Sequence, residues 1–296
     1  MATLASVALA AADGAPAARE NDAARGLWFW GKPASAHGAV NVVGDAAAET
    51  EALATFARWK VRRLYGSYAA LPIERPAAIA AWNRRLHAAD VRSESLFSDN
   101  AAIAASGRAG LLRLVGERVL QFNRAHDAAE RFDGIALDIE PHATPQWKTA
   151  PPAQRRAMLE EFLVTCEALR TYLDQHDART MTISAALAYW LDSLPPKGPG
   201  WRSSEDRDAW FTRLGRSVPT ISLMAYERSR PEAILEATAW ERSRFPGRPV
   251  TALRARMGQE WKTLADLQRV LPEVEKVTGG VDLENYELLR MAEKVR

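Results

Sequence analysis

Phe132-Asp133-Gly134-Ile135-Ala136-Leu137-Asp138-Ile139-Glu140 is a short apolar run closed by two acids. Ile135-Ala136-Leu137 shows no polar alternation, as expected of a strand covered by helices on one side and by a packed interior on the other. Asp138 and Glu140 are two apart, so on a strand both side chains point the same way, while Asp133 sits at the far end. On either side of this segment the same pattern repeats. Short β-rich runs are expected at 27–30, 61–66, 91–97, 134–140, 180–186, 220–225, 249–254 and 280–283. Between them amphipathic stretches predict helices at 46–59, 76–88, 110–127, 152–175, 204–216, 231–244, 263–277 and after Asn285. Several open on Pro or Ser, residues favoured at helix starts.

Strict β-α alternation implies parallel strands with right-handed crossovers, and eight units is the number that closes a (β/α)8 barrel. The fold class is therefore α/β, a (β/α)8 barrel in a single domain over residues 26–296, preceded by an arm at 1–25. A doubly wound open sheet is the alternative, but no Gly-x-Gly-x-x-Gly follows the first run. The 195–200 region reads as a loop after strand five, not as a linker.

The composition, 47% hydrophobic and 26% charged, is that of a globular chain with a large core. A net charge of +2 from 39 basic and 37 acidic residues, without a long basic block, argues against nucleic acid as a partner. Cys166 is the single cysteine, so no internal disulfide and no cysteine-based zinc site is expected. The five histidines (His37, His87, His126, His142 and His176) lie far apart, so no metal and no cofactor is expected. No run of about 18 apolar residues marks a transmembrane helix. The Ala-rich 1–18 stretch, with Ala8-Leu9-Ala10 shaped like a cleavage site, reads either as a trimmed export signal or as a disordered arm. Secreted or periplasmic action is the expectation, cytoplasmic the alternative, and the chain is expected to be a monomer.

Residues at the C-terminal ends of barrel strands face the site. Two acids held close cannot both ionise freely, so one stays protonated and can act as a general acid. Solvated strand-end acids are the plainer reading of an isolated Asp-x-Glu; the placement after an apolar strand favours chemistry. Asp133-Gly134-Ile135-Ala136-Leu137-Asp138-Ile139-Glu140 resembles the Asp-Gly-x-Asp-x-Asp-x-Glu strand of glycoside hydrolase family 18, the chitinase family, with Ala136 in place of the inner Asp. Met224-Ala225-Tyr226-Glu227 is similar to that family's Met-x-Tyr-Asp element. The run Asp138-Ile139-Glu140-Pro141-His142 places the likeness with a divergent bacterial branch.

The resemblance implies a retaining glycoside hydrolase acting on an amino-sugar-containing poly- or oligosaccharide, with Glu140 as general acid and then base. It implies that Asp138 orients Glu140, and that Tyr226 and Glu227 hold an N-acetyl group that attacks in place of an enzyme nucleophile. Sugar rings stack on aromatic faces, which makes Trp28, Trp30, Tyr65, Trp190 and Tyr286 candidate substrate-binding residues, each with core packing as the alternative. His142, Asp99 and Arg254 are polar candidates at the same rim. A carbohydrate-binding protein without turnover is the other class, favoured by Ala136. A conventional pair of Glu140 with Glu227 is a third arrangement.

Overall fold

A computed structural model describes residues 25–32, 34–196 and 198–294. Eight parallel strands close in chain order. They are β1 (Arg25–Phe29), β2 (Val61–Gly66), β3 (Arg92–Phe97), β4 (Gly134–Leu137), β5 (Thr182–Ala188), β6 (Thr220–Met224), β7 (Arg248–Arg254) and β8 (Val281–Glu284). β8 pairs back to β1 through Gly26↔Asp282 and Leu27↔Leu283, which gives a single-domain (β/α)8 barrel and excludes an open sheet with two edges. The N-terminal arm lies outside the described residues, apart from Arg25, which opens β1.

The principal crossover helices are α1 (Ala46–Arg58), α2 (Pro76–Ala88), α3 (Ala105–Val115), α4 (Pro152–Gln175), α5 (Ser204–Ser217), α6 (Pro231–Ala237), α7 (Leu264–Thr278) and α8 (Tyr286–Lys294). Local chemistry fixes their ends. Asp45 accepts the Ala47 and Ala48 N–H groups, Ser203 accepts that of Asp206, and Thr263 with Asp266 forms a reciprocal cap. Gly279, in the left-handed region at φ 71°, stops α7 and turns the chain into β8. The helix expected at 231–244 is broken at Thr238, whose hydroxyl donates back to Ile234 O, and resumes as Ala239–Arg244.

Strand residues alternate between helix-facing and interior positions. Leu27, Leu64, Ile135, Ile183, Ile221 and Leu283 are fully buried against the helices. The interior layer is polar. Arg63 pairs with Glu94 at 3.5 Å, and Asp282 accepts from Tyr65 at 3.1 Å and from Ser222 at 2.5 Å. Such partners offset part of the cost of burying charge, and burial pushes both the Glu94 and the Asp282 carboxyl above the usual range. Gly26 faces the same layer, where a Cβ would collide with the Asp282 carboxylate and the Tyr65 ring.

Candidate active site

The sheet ends before the acids do. β4 stops at Leu137, the Asp138 N–H still reaches Phe97 O at 2.9 Å, and the Glu140 N–H leaves the sheet for Asn100 Oδ1 at 2.6 Å. Pro141, which has no N–H, then opens the turn Pro141–Ala143. Asn100 is itself held in place, because Asp99 accepts the Ala101 N–H at 2.9 Å and caps the turn that follows β3. The loop after β3 therefore sets the position of Glu140.

Asp138 and Glu140 face the same way and share a hydrogen bond. Burial first, then the charge of Asp138, its hydrogen bond and the charge of Glu284, push the Glu140 carboxyl up to about 8. Burial raises Asp138 too, and the bond from Glu140 offsets part of that rise. The pair thus holds one proton near neutral pH, on Glu140, which donates it to Asp138. Glu140 keeps 26% of its side-chain surface open, so a ligand can reach it. His142 Nε2 lies 3.4 Å from Glu140 Oε2, and burial lowers the imidazole pKa and favours its neutral form. The edge of the Trp190 ring meets His142 at 5.4 Å between centroids.

Glu284 closes β8, four strands round the barrel from β4 and so on the opposite wall. It stands two residues beyond the interior Asp282, and its register partner on β7 is Arg254. Arg254 Nε is 3.8 Å from Glu284 Oε2, Arg254 is bonded to Glu260 at 2.7 Å, and its guanidinium lies 5.2 Å over the Tyr226 ring. Burial pushes the Glu284 carboxyl up to about 7, with Arg254 pulling it down and Asp138 pushing it further up. The Tyr226 hydroxyl is raised well above its ordinary range by burial, then by Glu284, Asp138 and Glu140. The segments after β4, β6 and β8 therefore bring three acids and one phenol to one mouth.

Tyr226 and Glu227, being adjacent, cannot both turn inward. Tyr226 does, and Glu227 is exposed in a separate polar groove with Tyr189, Arg228 and Arg230, away from the groups that act on Glu140. Trp28 is only 2% exposed and stacks on Tyr65, with 4.4 Å between ring centroids. Tyr65 lies fully buried beneath it, so neither offers an open face to a sugar. Tyr286, the first residue of α8, packs against Phe29, Phe56 and His37 on the helical side of the barrel and not at the mouth. Trp30 and Trp190 are half-buried, and Asp99 is exposed and occupied as a cap.

Glu284 and Asn100 are absent from the sequence-predicted set. Ending strand eight at Leu283 left Glu284 outside it, although Val281-Asp282-Leu283-Glu284 alternates apolar and acidic residues, the signature of one face turned inward. Among the described residues no acid takes the place of Ala136: the fully buried interior carboxylates are Glu94 of β3 and Asp282 of β8, and neither of these two acts on Asp138 or Glu140. Among the described residues no cluster of His, Cys, Asp and Glu could hold a metal ion, and no helix is long and apolar enough to cross a membrane.

No protein-family model and no curated protein sequence matches the chain. Solved structures do. A family 18 chitinase from Pseudoalteromonas aurantia superposes with a TM-score of 0.57 at 10% identity, over 92% of this chain and 99% of that one. The catalytic domain of a β-amylase from Paenibacillus polymyxa gives 0.53 at 8% identity, over 90% and 93%. The spore cortex-lytic enzyme of Bacillus megaterium gives 0.52 at 11%, over 91% and 72%. At such identities the likeness is one of fold: the chain shares the (β/α)8 barrel on which these enzymes are built.

Proposed function

We propose that this chain is a retaining glycoside hydrolase acting on an amino-sugar-containing poly- or oligosaccharide, with Glu140 as general acid and then base. One observation carries the reading: a carboxyl beside Asp138 at the barrel mouth, fixed through Asn100 and with 26% of its surface open, whose pKa burial and Asp138 push up to about 8. Glu140 would give its proton to the glycosidic oxygen as the bond breaks, and later take one from the incoming water. Asp138 accepts the Glu140 hydrogen bond before that transfer and steadies positive charge near the anomeric carbon after it. The amino-sugar assignment rests on the motif likeness and on Tyr226, whose hydroxyl shares the neighbourhood of Asp138 and Glu140 and can hold an acetamido group. Trp30, Trp190 and His142 would contact the sugar rings. A polysaccharide substrate fits a secreted or periplasmic place of action.

Incubation with amino-sugar oligomers should release new reducing ends, and Glu140→Gln should slow that release by about 10²–10⁴-fold. An unchanged rate in Glu140→Gln would refute the assignment. Ala136 favours a second reading, a carbohydrate-binding protein on the same barrel; oligomer binding by the wild-type chain without new reducing ends would support it.

A further inference from the structure

We propose that Glu284 is the second catalytic carboxylate, attacking the anomeric carbon from the wall opposite Glu140, so that an N-acetyl group on the substrate is not required. The proposal rests on the glycosidase reading of the site and names what that reading leaves open, the attacking group. It also widens the substrate class to glycosides with a free amine or a hydroxyl at the 2-position.

Asp282 shows what a structural acid looks like on this strand. It lies on the same face two residues earlier, 1% exposed, and is bonded to both Tyr65 and Ser222. Glu284 is built differently. Its Oε2 is buried with no hydrogen-bond partner, and the cation paired with it, Arg254, stands beyond hydrogen-bond distance at 3.8 Å and is bonded to Glu260 instead. An acceptor left without a donor costs free energy, a cost that Glu94 and Glu260 also carry; Glu284 differs from Glu94 in ending its strand at the mouth, on the wall opposite Glu140. Glu284 ends β8 on the wall opposite β4, and its register partner Arg254 lies over the Tyr226 ring; in keeping with that placement its charge bears on Glu140 and Tyr226, and that of Asp138 bears on it. Glu227, the other acid that the sequence offers for this task, opens to a different groove.

In the first step the Glu140 O–H proton moves to the glycosidic oxygen, the anomeric C–O bond breaks, and a Glu284 oxygen forms an ester to that carbon. In the second, water adds to the carbon, its proton returns to the Glu140 carboxylate, and Glu284 leaves as carboxylate. Arg254, fixed by Glu260 and packed on Tyr226, is a positioning residue that keeps positive charge beside Glu284 from β7.

The test compares 4-nitrophenyl glycosides of N-acetylhexosamine, hexosamine and hexose, in the gluco and galacto series, with wild type, Glu284→Gln and Glu284→Ala. Wild type should cleave at least one substrate that lacks the acetyl group, and both variants should fall about 10³-fold or more on every substrate that wild type cleaves. Sodium azide should restore Glu284→Ala and yield a glycosyl azide of inverted configuration, which a misfolded variant cannot do. Cleavage confined to N-acetyl substrates, or a Glu284→Ala rate equal to wild type, would overturn the role of Glu284 and leave the glycosidase reading standing. If wild type cleaves none of these and frees no reducing ends from amino-sugar oligomers, the glycosidase reading falls and the Glu284 proposal with it.

Discussion

Glu140 must carry a proton to act as an acid, and Glu284 must lose one to act as a nucleophile. Their carboxyls, at about 8 and about 7, leave a narrow window in which both conditions hold. We therefore expect kcat/KM to rise through about pH 7, fall through about pH 8 and peak between them. Asp138→Asn should move the basic limb to lower pH, because it removes the nearer negative charge that holds the Glu140 proton; a pH–rate profile checks both. The same shifts set a stability cost. A carboxyl whose folded pKa lies above its ordinary value of 4.5 binds its proton more tightly in the folded chain, so its contribution is present at low pH and is lost as pH rises from about 4.5 to about 8. Glu140→Gln should thus raise the melting temperature at about pH 9 and change it little near pH 4, by calorimetry. Asp138, Glu140 and Tyr226 were legible in the sequence because a two-residue period and a strand end suffice to group them. Glu284 was not, because its strand was ended one residue early.

At the level of the elements, the site depends on where strands stop. β4 was expected to run to Glu140, yet its ladder ends at Leu137, since Pro141 cannot pair and the Glu140 N–H goes to Asn100. No strand pattern announces that side-chain acceptor, which comes from the loop after β3. Asn100→Ala should leave Glu140 looser and lower kcat more than it raises KM, by removing the 2.6 Å bond that places the acid. Steady-state kinetics measures that, and circular dichroism with thermal unfolding separates it from a loss of folded enzyme, which would mimic a fall in kcat at constant KM. β1 makes a different demand. Gly26→Ala would drive a methyl into Asp282 and Tyr65 and should destabilise the barrel by about 1–3 kcal/mol, measured by denaturant unfolding. The helices were the most readable elements: α2 and α4 match their sequence spans because Pro opens each on a long amphipathic pattern. The break at Thr238 was missed because one hydroxyl bonding back to Ile234 leaves no periodic trace.

For the whole molecule, β-α alternation fixed closure, because eight parallel units with short strands have no other common way to hide their edges. Depth within the barrel was not legible. Trp28 and Tyr65 stand near the ends of strands and Tyr286 just after one, yet one lids the interior, one fills it and one faces the helices. Sequence period says which face a residue takes, not which layer it occupies. The polar interior of Arg63, Glu94 and Asp282 was likewise hidden, since their partners lie on other strands and meet them only when the barrel closes. Barrel closure buries Glu140 beside Asp138 and brings Glu284 round from β8, so that Glu140 keeps its proton at neutral pH. Carbon-13 NMR of glutamate-labelled protein, with Glu140→Gln used to assign the resonance, measures this directly. The expected midpoint for Glu140 is about 8, moving lower in Glu284→Gln; a midpoint near 4.5 that ignores Glu284 would contradict it.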